Sequence, residues 1–184
     1  HIALDPVMVA TSGAKLIDDD AITALTERLF PLAEVITPNI PETEVLLDLI
    51  AHRGASLDPA KWAEDTDRES TRIVSDTAME DAGRTVSEHY GCAVLVKGGH
   101  GVADTSDLLY ADGVATWIHG VRVDNPNTHG TGCTLSSAIA SNLAKGETLP
   151  DAIRHAKDYL TGALGAQLNL GHGSGPMDHA WHWR

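Results

Sequence analysis

The sequence has little of several features that would assign a protein to a special class. Only 2 of its 184 residues are cysteines, Cys92 and Cys133, so at most one disulfide can form. The two cysteines lie in different contexts, and a reduced cytosolic setting fits them better than a secreted disulfide framework. The longest apolar runs are far shorter than the roughly 20 residues that cross a bilayer, and no charged-then-apolar leader begins the chain. We therefore expect a cytoplasmic protein.

Basic residues are also scarce. The chain has 13 lysines and arginines against 26 acidic residues, which gives a formal net charge of -13. An acidic surface without a basic stripe repels polyanions, which argues against binding to nucleic acid or to an anionic membrane. We expect small-molecule partners, although a local cationic pocket is compatible with this composition.

The length and composition are those of one globular domain with a substantial core, since 42% of the 184 residues are hydrophobic. No internal repeat or low-complexity segment is present. The chain begins with strand-like residues from position 2 and has no initial methionine. A natural terminus usually has a few solvated residues before its first buried strand. We interpret the chain as the later part of a longer polypeptide.

Two short apolar runs that end at a proline, Pro6 and Pro38, are typical of parallel strands. Each is followed by a run with apolar residues at helical spacing. The first helix is predicted to begin at the acidic residues 18–20, and the second has Pro41 in its first turn. The predicted apolar face of the first helix consists of Ile22, Leu25 and Leu29.

The polar and charged stretch 52–70 is interpreted as a surface insertion. A helix is predicted after it, over about residues 77–90, and Gly91 is its predicted stop signal. The run CAVLV predicts a buried strand that leads into a glycine-rich loop. The dipeptide Asp112-Gly113 then separates two strand-like runs, which predicts a β-hairpin.

Two more helices are predicted after the hairpin, the first ending at Gly146 and the second beginning near Pro150. Their apolar faces are predicted to contain Leu135, Ala138, Ile139 and Leu143, and Ile153, Ala156, Leu160 and Leu164. Strands that alternate with helices indicate an α/β protein with a mostly parallel sheet. In such sheets ligands bind beyond the carboxyl ends of the strands, where the loops of this chain carry its glycines and polar residues.

The segment GTGC, residues 130–133, lies directly before a predicted helix. Glycines at a helix start let the backbone N–H groups of Gly130, Thr131, Gly132 and Cys133 turn toward one point, and the helix dipole favours an anion there. The segment therefore predicts an anion hole suited to a phosphate or to phosphoryl transfer. A tight turn that simply needs glycine is an equally good explanation of the pattern alone.

The same position affects Cys133. A thiol at a helix N-terminus is favoured in its thiolate form, which could accept a proton from a substrate hydroxyl. A free cysteine is more often a small buried residue, and the local pattern alone favours that alternative.

A second group of polar residues follows the two predicted strands that end at proline. Asn39 and Glu42 are three residues apart at a helix start, and Asp5 ends the first strand. An amide oxygen and carboxylates are ligands that suit Mg²⁺, which is commonly held through waters and substrate phosphates. The alternatives are an ordinary helix start with Asn39 as its cap, and a turn aspartate before proline.

Lys97 and Gly98 end the third predicted strand. A lysine there can neutralise nucleotide phosphates, and glycine allows the backbone to approach them. A solvent-facing loop lysine is the alternative. The spacing is not that of a P-loop, since G-x-x-x-x-G-K-[ST] is absent.

Five stretches, in order over nearly the whole chain, resemble motifs of the hydroxymethylpyrimidine and phosphomethylpyrimidine kinases of thiamine biosynthesis, in the ribokinase-like superfamily. They are DPVMVATSG, PLAEVITPNIPETEVLL, VLVKGGH, NTHGTGCTLSSAIAS and GHGSGPMDH. The resemblance implies a three-layer α/β/α fold with a mostly parallel sheet. It also implies ATP-dependent phosphorylation of 4-amino-5-hydroxymethyl-2-methylpyrimidine and then of its monophosphate, with Mg²⁺.

The resemblance also implies roles for single residues. Cys133 matches the catalytic thiol, at a position where most of the superfamily has aspartate, and residues 130–132 match the anion hole. Asn39 and Glu42 match the motif that organises magnesium and phosphates. Asp5 is expected beside the metal. Cofactor-binding roles are expected for Lys97, Gly98 and Thr128. We expect a homodimer.

One departure from the family is large. The groups that contact the pyrimidine ring, including a glutamate, lie in the first third of family members, and residues 1–184 have no counterpart of that third. We identify the chain as the C-terminal two thirds of one ribokinase-like kinase domain. This part alone is expected to be inactive, because it has half a pocket and an exposed sheet edge. Alternatives are a pyridoxal-type vitamin kinase and a non-catalytic pyrimidine-binding relative.

Overall fold

A mixed sheet of five strands forms the centre of the molecule. The computed structural model describes residues 1–9, 16–52, 71–98, 106–125, 128–168, 170 and 175–183, so most of the predicted insertion 52–70 lies outside the described residues. The strands lie side by side in chain order: β1 (Ala3–Leu4), β2 (Val35–Ile36), β3 (Ala93–Val96), β4 (Asp107–Ala111) and β5 (Val114–Ile118).

Strands β1, β2 and β3 are parallel, whereas β4 and β5 continue the sheet with antiparallel pairing. The pairing of β4 with β5 is the predicted hairpin, because strands joined by a two-residue turn must run in opposite directions. Asp112 and Gly113 form this turn with φ values of 52° and 77°, the positive values that a tight hairpin requires. The α/β class and the hairpin are thus confirmed, and the sheet is mixed.

Five α-helices are present in the described ranges: α1 (Asp19–Ala24), α2 (Ile40–His52), α3 (Asp76–Tyr90), α4 (Thr131–Ala144) and α5 (Leu149–Gly165). Local signals account for the ends of α3. The Ser75 hydroxyl accepts the Ala78 N–H at 3.1 Å, and Gly91 ends the helix in the left-handed conformation. The short turn Trp181–Trp183 is a 3-10 helix.

The predicted apolar face of the first helix is wrong at Leu29, which is 47% exposed. The α-helix ends at Ala24 and continues as a wider π-helical turn over Leu25–Leu29. The wider turn changes the direction of the later side chains, so Thr26 becomes buried while Leu29 faces solvent.

Side chains alternate across β3 and divide the core into two layers. Val94 and Val96 pack in the layer that contains residues of α2 and α3, and Leu95 packs in the layer that contains residues of α4 and α5. The sheet therefore lies between two helical layers, as predicted. None of the helices in the described ranges combines the length and the apolar composition that a membrane crossing requires.

Candidate active site

A cavity of about 490 Å³ opens where the parallel strands end. Asp5 follows β1, Asn39 follows β2 and Lys97 follows β3, so the strand order brings them to one edge of the sheet. All but one of the predicted site residues line this cavity: Asp5, Asn39, Glu42 and residues 97–98 and 130–133. The exception is Thr128, an exposed residue whose carbonyl accepts the Thr131 N–H at 3.4 Å.

Asp5 and Lys97, two of the residues that line the cavity, form an ion pair. Lys97 Nζ is 2.7 Å from Asp5 Oδ1, and the Thr37 hydroxyl donates to the same oxygen at 3.4 Å. A Cβ atom on Gly132 would lie 2.7 Å from Asp5 Oδ2 and 3.4 Å from Lys97 Nζ. Gly132 is thus the residue that allows the start of α4 to approach the ion pair.

The start of α4 presents backbone donors at the cavity. Gly130 precedes the helix with φ 81°, a conformation that favours glycine. The first backbone bond within the helix runs from the Thr134 N–H to the Gly130 carbonyl at 2.9 Å. The N–H groups of Gly132 and Cys133 therefore have no partner inside the helix and lie at the positive end of its dipole, while the Thr131 N–H already donates to the Thr128 carbonyl. This arrangement suits an anion.

The two cysteines differ in exposure. Cys133 is exposed in the first turn of α4 and lines the cavity, whereas Cys92 is buried just before β3. The alternative interpretation of Cys133 was a small buried residue. Cys92, and not Cys133, is buried in this way. Burial raises the pKa of the Cys92 thiol to about 11.

This difference predicts the thiol chemistry of the native protein. At pH 8 only about one Cys92 side chain in a thousand is a thiolate if its pKa is about 11. A thiol reagent such as iodoacetamide is therefore expected to alkylate Cys133 on the order of a hundredfold faster, as measured by peptide mass spectrometry. Equal rates for the two cysteines in the folded protein would contradict the site geometry.

Asn39 and Glu42 form a reciprocal cap at the start of α2. The Glu42 N–H donates to Asn39 Oδ1 at 2.8 Å, and the Asn39 N–H donates to Glu42 Oε2 at 2.9 Å. The cap was the structural alternative for this pair, and the structure contains it. Glu42 Oε1 also accepts the Met8 N–H at 2.8 Å, which fixes the segment after β1.

The Glu42 carboxyl is only 1% exposed, although it lines the cavity. Burial raises its pKa above the ordinary value, while the hydrogen bond from the Asn39 N–H and the charge of Lys97 act in the opposite direction. Both carboxylate oxygens already accept backbone hydrogen bonds, which leaves part of their lone-pair capacity for a cation or water. A role of Glu42 in binding magnesium stays a prediction.

No group of three or more His, Cys, Asp or Glu side chains in the described part of the chain gathers to hold a metal ion. Asp5, Asn39 and Glu42 line the same cavity, and their oxygen donors match the chemistry of Mg²⁺. Magnesium usually binds through one or two carboxylates, waters and substrate phosphates, and this donor set fits that mode.

A second ion pair in the cavity wall was not predicted from the sequence. Asp107 at the start of β4 lies 2.5 Å from Lys157 Nζ of α5, and its other oxygen accepts the Gly98 N–H at 2.8 Å. The sequence did contain a sign of a buried charge on α5, because Lys157 is four residues after Ile153 and three before Leu160. A charged residue therefore stands on the predicted apolar face of that helix.

Gly98 also has a structural reason to be glycine. A Cβ atom at this position would collide with the Ser106 carbonyl oxygen. The close approach that requires glycine is therefore between two backbone segments, and contact of Gly98 with a phosphate stays a prediction.

Comparison with known proteins identifies the family. The family described as "Phosphomethylpyrimidine kinase" matches residues 1–178. The chain is 38% identical over 183 residues to a hydroxymethylpyrimidine/phosphomethylpyrimidine kinase of Haemophilus influenzae, a match that covers 97% of this chain and 60% of that protein. The chain thus spans about three fifths of that relative.

Two solved structures are similar to this fold. Phosphomethylpyrimidine kinase from Clostridium difficile 630 gives a TM-score of 0.63 at 30% identity, covering 88% of this chain and 56% of that one. Pyridoxal kinase from Staphylococcus aureus in complex with ADP gives 0.77 at 25% identity, covering 99% and 59%. These matches confirm the ribokinase-like fold. Together with the family match over residues 1–178, they show that this chain belongs to the phosphomethylpyrimidine kinase family.

Proposed function

We propose that the protein is an ATP-dependent kinase that phosphorylates 4-amino-5-hydroxymethyl-2-methylpyrimidine and then its monophosphate. The described residues supply the phosphoryl-transfer part of the site. One observation carries the proposal: the Asp5–Lys97 ion pair, Gly132 and the exposed Cys133 meet in one cavity at the N-terminus of α4. A phosphoryl group needs cationic and N–H donors, and a hydroxyl acceptor needs a base beside them.

Cys133 is the proposed base. The hydroxyl oxygen of the pyrimidine attacks the γ-phosphorus of ATP, and the bond from that phosphorus to the bridging oxygen of ADP breaks. The hydroxyl proton passes to the Cys133 thiolate. Because the acceptor becomes more nucleophilic as it loses this proton, a base at this position accelerates the transfer.

The start of α4 and Lys97 stabilise negative charge in this proposal. The N–H groups at the helix start face the equatorial oxygens of the transferred group, where charge develops. Lys97 neutralises phosphate charge, and its ion pair with Asp5 holds the ammonium beside Gly132. Asp5, Asn39 and Glu42 would hold Mg²⁺, which supplies charge neutralisation on the nucleotide phosphates when bound.

A pyridoxal-type kinase is the second candidate. The S. aureus pyridoxal kinase structure matches this fold with the higher TM-score of the two structures above, 0.77 against 0.63. Both candidates phosphorylate a hydroxymethyl group on a nitrogen heterocycle, so the transfer chemistry of the described residues is the same for both. A homodimer and a cytoplasmic location stay predictions.

The test is a side-by-side assay of the two alcohols with the full-length polypeptide that the gene encodes. ADP release is measured at matched concentrations of the pyrimidine and of pyridoxal, with ATP and Mg²⁺. We expect kcat/KM for the pyrimidine to exceed that for pyridoxal by at least about tenfold, which corresponds to about 1.4 kcal/mol of transition-state discrimination. A reversed ratio would assign the protein to the second candidate. Binding of the pyrimidine without ADP release would indicate a non-catalytic relative.

A further inference from the structure

The ion pair between Asp107 and Lys157 has no part in the proposed transfer, although both residues line the cavity. The two side chains are nearly buried, with 9% and 13% exposure. Burying two charges has a desolvation cost, which their attraction offsets only in good geometry. A buried ion pair therefore does not by itself indicate that its role is to stabilise the fold. Its position in the cavity wall points to a role in the site.

Asp107 fixes the backbone beside Lys97. The carboxylate accepts the Gly98 N–H at 2.8 Å, while the Lys97 N–H donates to the Pro38 carbonyl at 2.8 Å. The Ser106 carbonyl packs against the Cα of Gly98 so closely that no side chain fits there. The peptide that carries Lys97 is therefore held from the end of β2 and from the start of β4.

Lys157 connects the same carboxylate to α5. Three residues from the next turns of this helix, Leu160, Thr161 and Leu164, also line the cavity. The ion pair thus joins the wall formed by α5 to the strand ends that present Lys97. A shift of α5 would be transmitted to the Lys97–Gly98 peptide through Asp107.

We propose that Asp107 and Lys157 are positioning residues for phosphoryl transfer. They act as a unit that holds the backbone of Lys97 and the α5 wall of the cavity in the relative position that nucleotide binding requires. This inference rests on the proposed kinase function. Neither residue contacts the reacting atoms in this proposal. The pair acts through the backbone of Lys97, the residue that neutralises phosphate charge.

The test is a double-mutant cycle in the full-length polypeptide with Asp107→Asn, Lys157→Gln and the double variant. Lys157→Arg is the conservative variant, and Lys145→Gln, an exposed lysine of the α4 end, is the matched control. Each single variant is expected to lower kcat/KM for ATP by about 10- to 100-fold, because small displacements in a site have effects of this size. KM for the alcohol is expected to stay within about twofold of wild type.

Cooperation between the two residues gives a sharper expectation. The double variant should be no worse than the poorer single variant, since residues that act as a unit are not additive. Lys157→Arg should recover most of the activity, and Lys145→Gln should match wild type. Additive losses, or variants that lose activity only in proportion to their unfolded fraction in a thermal melt, would overturn the inference.

Binding of a non-hydrolysable ATP analogue, measured by calorimetry, separates this inference from the proposed function. If the wild type binds the analogue but transfers no phosphoryl group, the proposed function fails, and weaker binding in both single variants would then show only that the pair positions the nucleotide. If the wild type is an active kinase and both variants bind and turn over as it does, the inference alone fails.

Discussion

Replacement of Cys133 by alanine is expected to lower kcat for pyrimidine phosphorylation by about 10²- to 10⁴-fold, the usual contribution of a general base. The thiol is exposed in the cavity and stands in the first turn of α4, beside the backbone donors at the start of that helix. Its removal leaves the backbone donors and Lys97 in place. The measurement is the initial rate of ADP release by the full-length polypeptide at saturating ATP and pyrimidine.

Two further variants test whether the loss of rate in Cys133→Ala is due to the loss of a base. Cys92→Ala removes the other thiol, which is buried outside the cavity, and should retain most of the rate. Cys133→Asp supplies a carboxylate at the same backbone position and should restore part of the activity, since a base is again present. Turnover that survives unchanged in Cys133→Ala would show that another group accepts the proton.

Replacement of Gly132 by alanine is expected to lower kcat by about 100-fold, because it displaces the groups around the transferred phosphoryl group. The added methyl group would lie 2.7 Å from Asp5 Oδ2, so the ion pair or the start of α4 must move. The Asp5 and Lys97 side chains are only 11% and 16% exposed, which restricts their retreat. Rates of ADP release and thermal melts of the same preparations provide the measurement.

The matched control for this steric effect is Gly165→Ala at the end of α5. Apart from neighbouring atoms of its own helix, no atom of the described residues lies within 4 Å of the Cβ position at Gly165, and alanine is a better helix former than glycine. The control should therefore keep its rate and its melting temperature. If Gly132→Ala also keeps its rate, the approach of α4 to the Asp5–Lys97 pair has no importance for catalysis.

Local signals made much of the fold predictable. A positive φ is needed at both Asp112 and Gly113, and that dipeptide adopts it at low cost, so the hairpin followed from two residues. Ser75 and Gly91 end their helix by contacts within a few residues. The exposure of Leu29 was not predictable in this way, because a π-helical turn depends on how the surrounding chain packs and periodicity assumes regular helix.

The sequence could predict those site residues whose positions are determined by the ends of strands. Asp5, Asn39 and Lys97 each follow a parallel strand, and adjacency of those strands brings them together. The pair of Asp107 and Lys157 joins residues 50 positions apart in the sequence and depends on where α5 lies over the sheet. No spacing rule specifies such a contact. A lysine on an apolar helix face indicated only that some buried partner must exist.

Mass spectrometry of the pyrimidine after incubation with ATP, Mg²⁺ and the full-length polypeptide tests phosphoryl transfer by this cavity most directly. We expect the alcohol to gain one phosphoryl group and then a second, with one ADP formed for each. We also expect Cys133→Ala to slow the first step, in which the acceptor loses a hydroxyl proton, and Gly132→Ala to slow both steps. An alcohol that stays unchanged while ATP is bound, or is hydrolysed to ADP and phosphate, would contradict the assignment of this cavity to phosphoryl transfer.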